Sequence, residues 1–150
     1  MGEQIPGPGM AAHTSQPLHL AYFISPHGFG HAARAAAVMD AVHAIEPSIH
    51  FEIFTTVPQW FFENLPADRY DYHEVLTDVG FVQTTPFRTD LNRTLQALEE
   101  FLPFNAAQTE NIAGKVSQLG CCAVICDIAP LGIIVARKAG MSFIRPFSRA

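Results

Sequence analysis

The sequence predicts an α/β domain, a Rossmann-like parallel sheet with helices on both faces. Three observations lead there. Apolar runs of strand length alternate with segments of helical periodicity along most of the chain, the pattern of a parallel sheet wound with helices. The first strand-like run, Leu20-Ala21-Tyr22-Phe23-Ile24, is apolar throughout, as in a strand covered on both faces. A glycine-rich turn, Pro26-His27-Gly28-Phe29-Gly30-His31, joins that run directly to a helical pattern.

The elements follow in order. Residues 1–17 carry Pro6, Pro8 and Pro17 with Gly2, Gly7 and Gly9 and no periodicity, and read as a disordered leader before one domain over 18–150. Strand one covers 19–25. Helix one covers 31–45, with Ala35, Val38, Met39, Val42 and Ile45 as its apolar stripe and Pro47 as its stop. Residues 51–56 are apolar and β-branched enough for strand two, and Pro58 fits the first turn of a short helix through 64. A third strand is expected over 70–76, then a loop over 78–88 containing Gly80 and Pro86.

The second half repeats the alternation. A helix over 89–101 places Leu91, Leu95, Leu98 and Leu102 on one side and is broken by Pro103. A helix over 106–119 turns Ile112, Val116 and Leu119 inward and ends at Gly120. An apolar strand over 122–126 is closed by Asp127. A helix over 131–139 with Gly140 as its cap and a strand over 142–146 complete the pattern. The sequence then stops at Ala150 without a helix to cover the last strand. Both faces of a doubly wound sheet need cover. The unit is therefore expected to belong to a larger protein, completed by a missing C-terminal domain or a partner chain.

Composition narrows the class. At 150 residues and 49% hydrophobic, the chain supports one domain with a real core. A formal charge of −5 without any Lys/Arg cluster argues against a nucleic-acid or anionic-membrane surface. Cys121, Cys122 and Cys126 form neither a metal spacing nor a disulfide framework, and read as free thiols in a reducing compartment. The longest nearly apolar stretch, 128–136, contains Pro130 and Gly132 and is too short to span a bilayer. The N-terminus lacks the basic start and apolar block of a signal peptide. A cytoplasmic protein with no integral membrane segment is the expectation.

The chemistry gathers at the glycine turn. Gly28-x-Gly30-x-x-Ala33 satisfies the dinucleotide fingerprint literally, after a strand and opening a helix. That fingerprint also needs an acid at the end of strand two to hold the ribose. The end here reads Phe54-Thr55-Thr56, with Glu52 inside the strand, so a nicotinamide or flavin cofactor is not expected. The lysine-bearing phosphate loop of nucleotide hydrolases is absent. His27 and His31 are four apart, but they straddle a glycine turn that destroys helical geometry, and no third ligand is evident; no metal site is expected.

Each remaining candidate has two readings. His31, at the start of a helix whose positive end disfavours the imidazolium, is either a general base or a cap of the turn. Asp127 ends its strand at the carboxyl edge of the sheet, where ligands bind in open α/β folds. It either holds an imidazole in one tautomer or caps the following helix. Arg34, one turn into helix one, meets an anionic substrate group or is solvated. Phe29 at the loop tip is a stacking platform for a sugar or a packing residue.

The segment Ile24-Ser25-Pro26-His27-Gly28-Phe29-Gly30-His31-Ala32-Ala33-Arg34 resembles the "GHGFGHATR" signature of glycosyltransferase-like domains, with Pro26 where that signature has glycine. The signature occurs in the N-terminal halves of nucleotide-sugar glycosyltransferases of the two-domain GT-B fold and in the N-terminal domain of L-arabinokinase-like proteins. Asp78-Val79-Gly80-Phe81-Val82-Gln83 is similar to the "DCGAVQ" stretch of the latter. Cys126-Asp127-Ile128-Ala129-Pro130 and Ala139-Gly140 are similar to its "SDVVP…AG".

The resemblance implies the N-terminal half of a GT-B fold that binds a small-molecule sugar acceptor, with a nucleotide-sugar donor as substrate rather than cofactor. It implies His31 as acceptor base and Asp127 as its partner, with His27, Gly28, Phe29, Gly30 and Arg34 around the substrate. The alternative is a non-catalytic sugar-binding or regulatory domain of the sugar-kinase type, or a truncated product. Without a donor-binding half, the chain alone is expected to be inactive.

Overall fold

A computed structural model describes residues 17–146; the expected leader, apart from Pro17, lies outside the described residues, as do the last four. The chain runs β1 (Leu18–Ile24), α1 (Phe29–Ile45), β2 (Ile49–Thr55), a 3-10 turn (Gln59–Phe62) and β3 (Tyr70–Glu74). A small hairpin follows, β4 (Gln83–Thr85) and β5 (Arg88–Thr89), then α2 (Leu91–Phe101) and α3 (Ala106–Gln118). The chain closes with β6 (Cys121–Asp127), α4 (Pro130–Lys138) and β7 (Phe143–Ile144).

Five strands form one parallel sheet in the order β3-β2-β1-β6-β7. The chain winds outward from β1 through β2 to β3, and then returns to the other side of β1 with β6 and β7. The strand order therefore reverses between β1 and β6, whose carboxyl ends lie side by side: Ile24 pairs with Asp127. That switch point is where an open α/β sheet leaves a crevice for a ligand.

Strand alternation builds two cores. On one face Tyr22, Ile24, Phe51 and Ile53 pack with Ala32, Ala35 and Met39 of α1. On the other, Ala21, Phe23, Phe54, Val124 and Cys126 pack with Ile112 and Val116 of α3 and Leu131, Val135 and Ala136 of α4. Phe23 and Phe54 stack with ring centroids 4.5 Å apart. Gly132 lets α4 lie directly on this layer: a β-carbon there would meet Phe23 at 2.7 Å and Cys126 Sγ at 2.8 Å. The expected fold class is the observed one.

Several expectations need correction. The short helix over 58–64 is one 3-10 turn, and the loop over 78–88 contains the β4–β5 hairpin. Helix α1 starts two residues early, so Phe29 and Gly30 belong to its first turn. Ile45, the last residue of α1, is exposed instead of closing the apolar stripe. The largest difference is α2. Leu91, Leu95 and Leu102 are exposed, and its buried residue is Thr94. Thr94 Oγ1 donates to Asp90 O (2.7 Å) and accepts from Val82 N–H (2.9 Å), tying the helix to the hairpin by its polar side.

Candidate functional site

The turn after β1 is held from three directions. Ser25 N–H donates to Asp127 O at 3.1 Å, linking the ends of β1 and β6. Thr77 Oγ1 donates to Ile24 O at 2.6 Å, and Ser25 Oγ donates to Asp78 Oδ2 at 3.0 Å. His27 Nε2 donates to Asp78 O at 3.3 Å, and its ring lies against Gly80, where a β-carbon would sit 2.2 Å from His27 Cγ. Gly80 is thus required by the imidazole packed on it. The two sequence stretches around Pro26–His31 and Asp78–Gln83 are one piece of structure, and His27 is the residue that docks them.

Gly28 sits at φ 69°, in the left-handed region, and starts α1 there without a side-chain cap among the described residues. The first turn of α1 therefore presents backbone N–H groups at the switch point. Gly30 is already helical and has open space around it, so its lack of a side chain is not demanded by the fold. Phe29 is exposed and stacks on Phe61 at 5.3 Å, with Trp60 at 6.2 Å.

His31 and Arg34 are one helical turn apart on α1 and both face Asp127. The Asp127 side chain is wholly buried. Arg34 Nε donates to Oδ2 at 3.1 Å and Arg34 Nη2 donates to Oδ1, a two-pronged grip that balances the charge of a buried carboxylate. His31 Nδ1 is 3.4 Å from Asp127 Oδ1 and 2.9 Å from Arg34 Nη2. A guanidinium nitrogen only donates, so in this arrangement Nδ1 accepts and the imidazole proton resides on Nε2.

Beneath the cluster, the Tyr22 hydroxyl is buried with no hydrogen-bond partner among the described residues. Burial first and the Asp127 charge second push its phenol far above the usual range, with Arg34 pulling the other way. The Arg34 guanidinium is itself held protonated, chiefly by its bond to Asp127.

Directly after Asp127, Ile128 adopts φ 48°, a conformation that costs a β-branched residue energy and that marks strained backbone at the sheet edge. A cavity of about 220 Å³ adjoins Asp127 on the β7 side, lined also by Ile128, Ile133 and Arg145; His31 and Arg34 lie outside it.

The structure thus brings together His31, Arg34 and Asp127, at the helix end formed by Gly28, Phe29 and Gly30. His27 is engaged with the 78–80 loop instead. Trp60 and Phe61 were missed by sequence reasoning. Their signal was a lone tryptophan beside two phenylalanines after Pro58, which reads equally as a short packed helix.

The five-stranded parallel sheet flanked by helices is a Rossmann-like α/β fold of the GT-B-like kind. No protein-family model matches the sequence. The chain is similar to L-arabinokinase of Arabidopsis thaliana, 27% identical over 130 residues, which is 85% of this chain and 12% of that protein. In structure it is similar to a UGT transferase from Siraitia grosvenorii solved in complex with UDP. That match has a TM-score of 0.52 at 17% identity and covers 84% of this chain and 27% of the other. The chain therefore spans only a small part of the length of either. Among the described residues no helix is long and apolar enough to cross a membrane.

Proposed function

We propose that this chain is the acceptor-binding half of a glycosyltransferase-like protein that moves a sugar from a nucleotide-sugar donor to a hydroxyl. The supporting observation is the His31–Asp127 pair at the switch point, beside an uncapped helix start. His31 is the acceptor base. In its working state Nδ1–H donates to Asp127, which fixes the tautomer and balances the charge, and Nε2 accepts the hydroxyl proton. Arg34 holds the resting state by occupying Nδ1. An anionic group of the substrate draws the guanidinium off the imidazole and frees the dyad. Phe29, supported by Phe61 and Trp60, is the surface for a sugar ring, and the turn at Gly28 lets a ligand approach the backbone. A missing C-terminal domain or partner chain supplies most of the donor contacts.

The test has two steps. Titration of the 150-residue chain with monosaccharides and uridine-diphosphate sugars, followed by amide NMR, should move the resonances of Gly28, Phe29, Gly30 and His31 in a saturable way. In the complete protein, His31→Ala should remove most turnover while leaving donor binding nearly intact. Unmoved amides, or full turnover in that variant, would overturn the assignment.

A further inference from the structure

A second group of titratable side chains lies further back along the sheet, on β1, β2 and β3. Glu52 sits in the middle of β2 with its side chain wholly buried. The register pairs Ala21 with Glu52 and Phe23 with Phe54, so the carboxylate faces the α3–α4 side. Three imidazoles converge on it. His19 Nδ1 of β1 is 2.9 Å from Oε1, His50 Nε2 of β2 is 3.9 Å from Oε1, and His73 Nε2 of β3 is 2.7 Å from Oε2.

The surroundings include two more charged groups and a thiol. Asp71 Oδ2 is 2.9 Å from His50 Nε2, and Lys115 Nζ of α3 is 2.8 Å from His73 Nδ1. Cys121 of β6 pairs in register with His19. Its thiol is pushed up to about 12 by burial and then by the Glu52 charge, so it adds no negative charge at neutral pH.

We propose that His19, His50 and Glu52 form a binding site for a divalent transition metal of the zinc class. One donor atom from each lies within 4.8 Å of the other two. Tetrahedral zinc with bonds of about 2.0–2.1 Å holds its ligand atoms about 3.3 Å apart. The 2.9 Å and 3.9 Å separations bracket that value, and small side-chain rotations close the set. Two imidazoles and a carboxylate suit zinc and its neighbours rather than calcium or magnesium.

Only His19 and His73 stand within hydrogen-bond distance of the carboxylate, while His50 faces the same oxygen as His19 from 3.9 Å. A cation at the centre would accept the lone pairs of His19 Nδ1 and His50 Nε2 together with that of Glu52 Oε1. His73 then remains on the second carboxylate oxygen and holds Glu52 in place, the outer contact that such ligands ordinarily have. His50 exchanges its bond to Asp71 for the metal. The His19 and His50 side chains are 24% and 16% exposed, which leaves an entry path. Because the ligands come from β1 and β2, the metal clamps two central strands together. Its role is structural, and the inference does not rest on the proposed transfer reaction.

The probe is cobalt(II), with zinc as competitor, added to the chelator-stripped chain. One equivalent should produce a saturable visible spectrum of low-symmetry cobalt, abolished by zinc, and should raise the thermal midpoint. His50→Ala, which removes a proposed ligand, should weaken binding more than about a hundredfold, and His73→Ala about tenfold. His31→Ala should leave binding unchanged. If His50→Ala does not fold, His50→Gln serves in its place. Absence of a saturable spectrum in the natural chain, or a spectrum unaltered by the His50 substitution, overturns the proposal.

Discussion

Arg34 Nη2 lies 2.9 Å from His31 Nδ1, while the same guanidinium holds both carboxylate oxygens of Asp127. One cation therefore controls both members of the candidate dyad. It neutralises the buried carboxylate and, by donating to Nδ1, fixes the imidazole with its proton on Nε2. The tautomer with the proton on Nδ1, which the proposed acceptor base requires, is the opposite one.

Removing that control should be visible without any substrate. In Arg34→Gln the long-range nitrogen spectrum of His31 should change from the Nε2–H to the Nδ1–H tautomer, as Nδ1 turns to Asp127. The variant should also lose about 2 kcal/mol of stability by urea denaturation. That is less than a fully buried pair costs to break, because the guanidinium is about one-third exposed. Arg34→Lys should recover part of the stability, since a point charge makes only one of the two bonds.

The two turn glycines should separate. Gly28→Ala forces a side chain into a left-handed conformation and should cost about 1 kcal/mol in thermal or urea unfolding. Gly30→Ala is helical with open space around it and should leave stability unchanged or slightly raised. Loss of sugar-nucleotide binding in Gly30→Ala with an unaltered melting curve would show that the ligand approaches the backbone there. Retained binding would count against that approach.

Tyr22→Phe should stabilise the protein by about 1 kcal/mol, because it deletes a buried hydroxyl that has no partner among the described residues and leaves the ring packing with Phe51 in place. A destabilised variant would show that the hydroxyl is paired in solution.

The thiols set an alkaline limit. Burial is the main cause that pushes Cys121 and Cys126 up to about 12 from 9.0, whereas Cys122 is exposed. In the native protein a thiol reagent at neutral pH should label Cys122 quickly and the other two only on unfolding. A raised thiol pKa means the unfolded chain gives up its proton first as pH rises. Stability from these two groups is therefore full below pH 9 and lost between about 9 and 12. Denaturation midpoints measured over that range should fall less steeply in Cys126→Ala than in the unaltered chain.

Much of this was legible in the residues themselves. The strand–glycine–helix pattern at Leu20 to Ala35 and the apolar run ending in Asp127 give the parallel sheet, because strand and helix periods are local and the winding rules leave few topologies. The candidates His31, Arg34 and Asp127 could be named for the same reason: residues at the ends of parallel strands share one edge.

Other features depended on the register and on which faces found partners. Leu91, Leu95 and Leu102 show a true amphipathic period, yet periodicity records only that a helix has an apolar side, and the core is met by Thr94. Glu52 failed the test for a ribose-binding acid, and nothing local showed that His19, His50 and His73, spread over three strands, would surround it. That Arg34 grips Asp127 instead of standing free in the crevice is also a fact of pairing between residues 93 positions apart. Short-range pattern is enough to name the elements and the edge where chemistry gathers. Which charges neutralise one another is settled by packing, because a buried charge is defined by what folds against it.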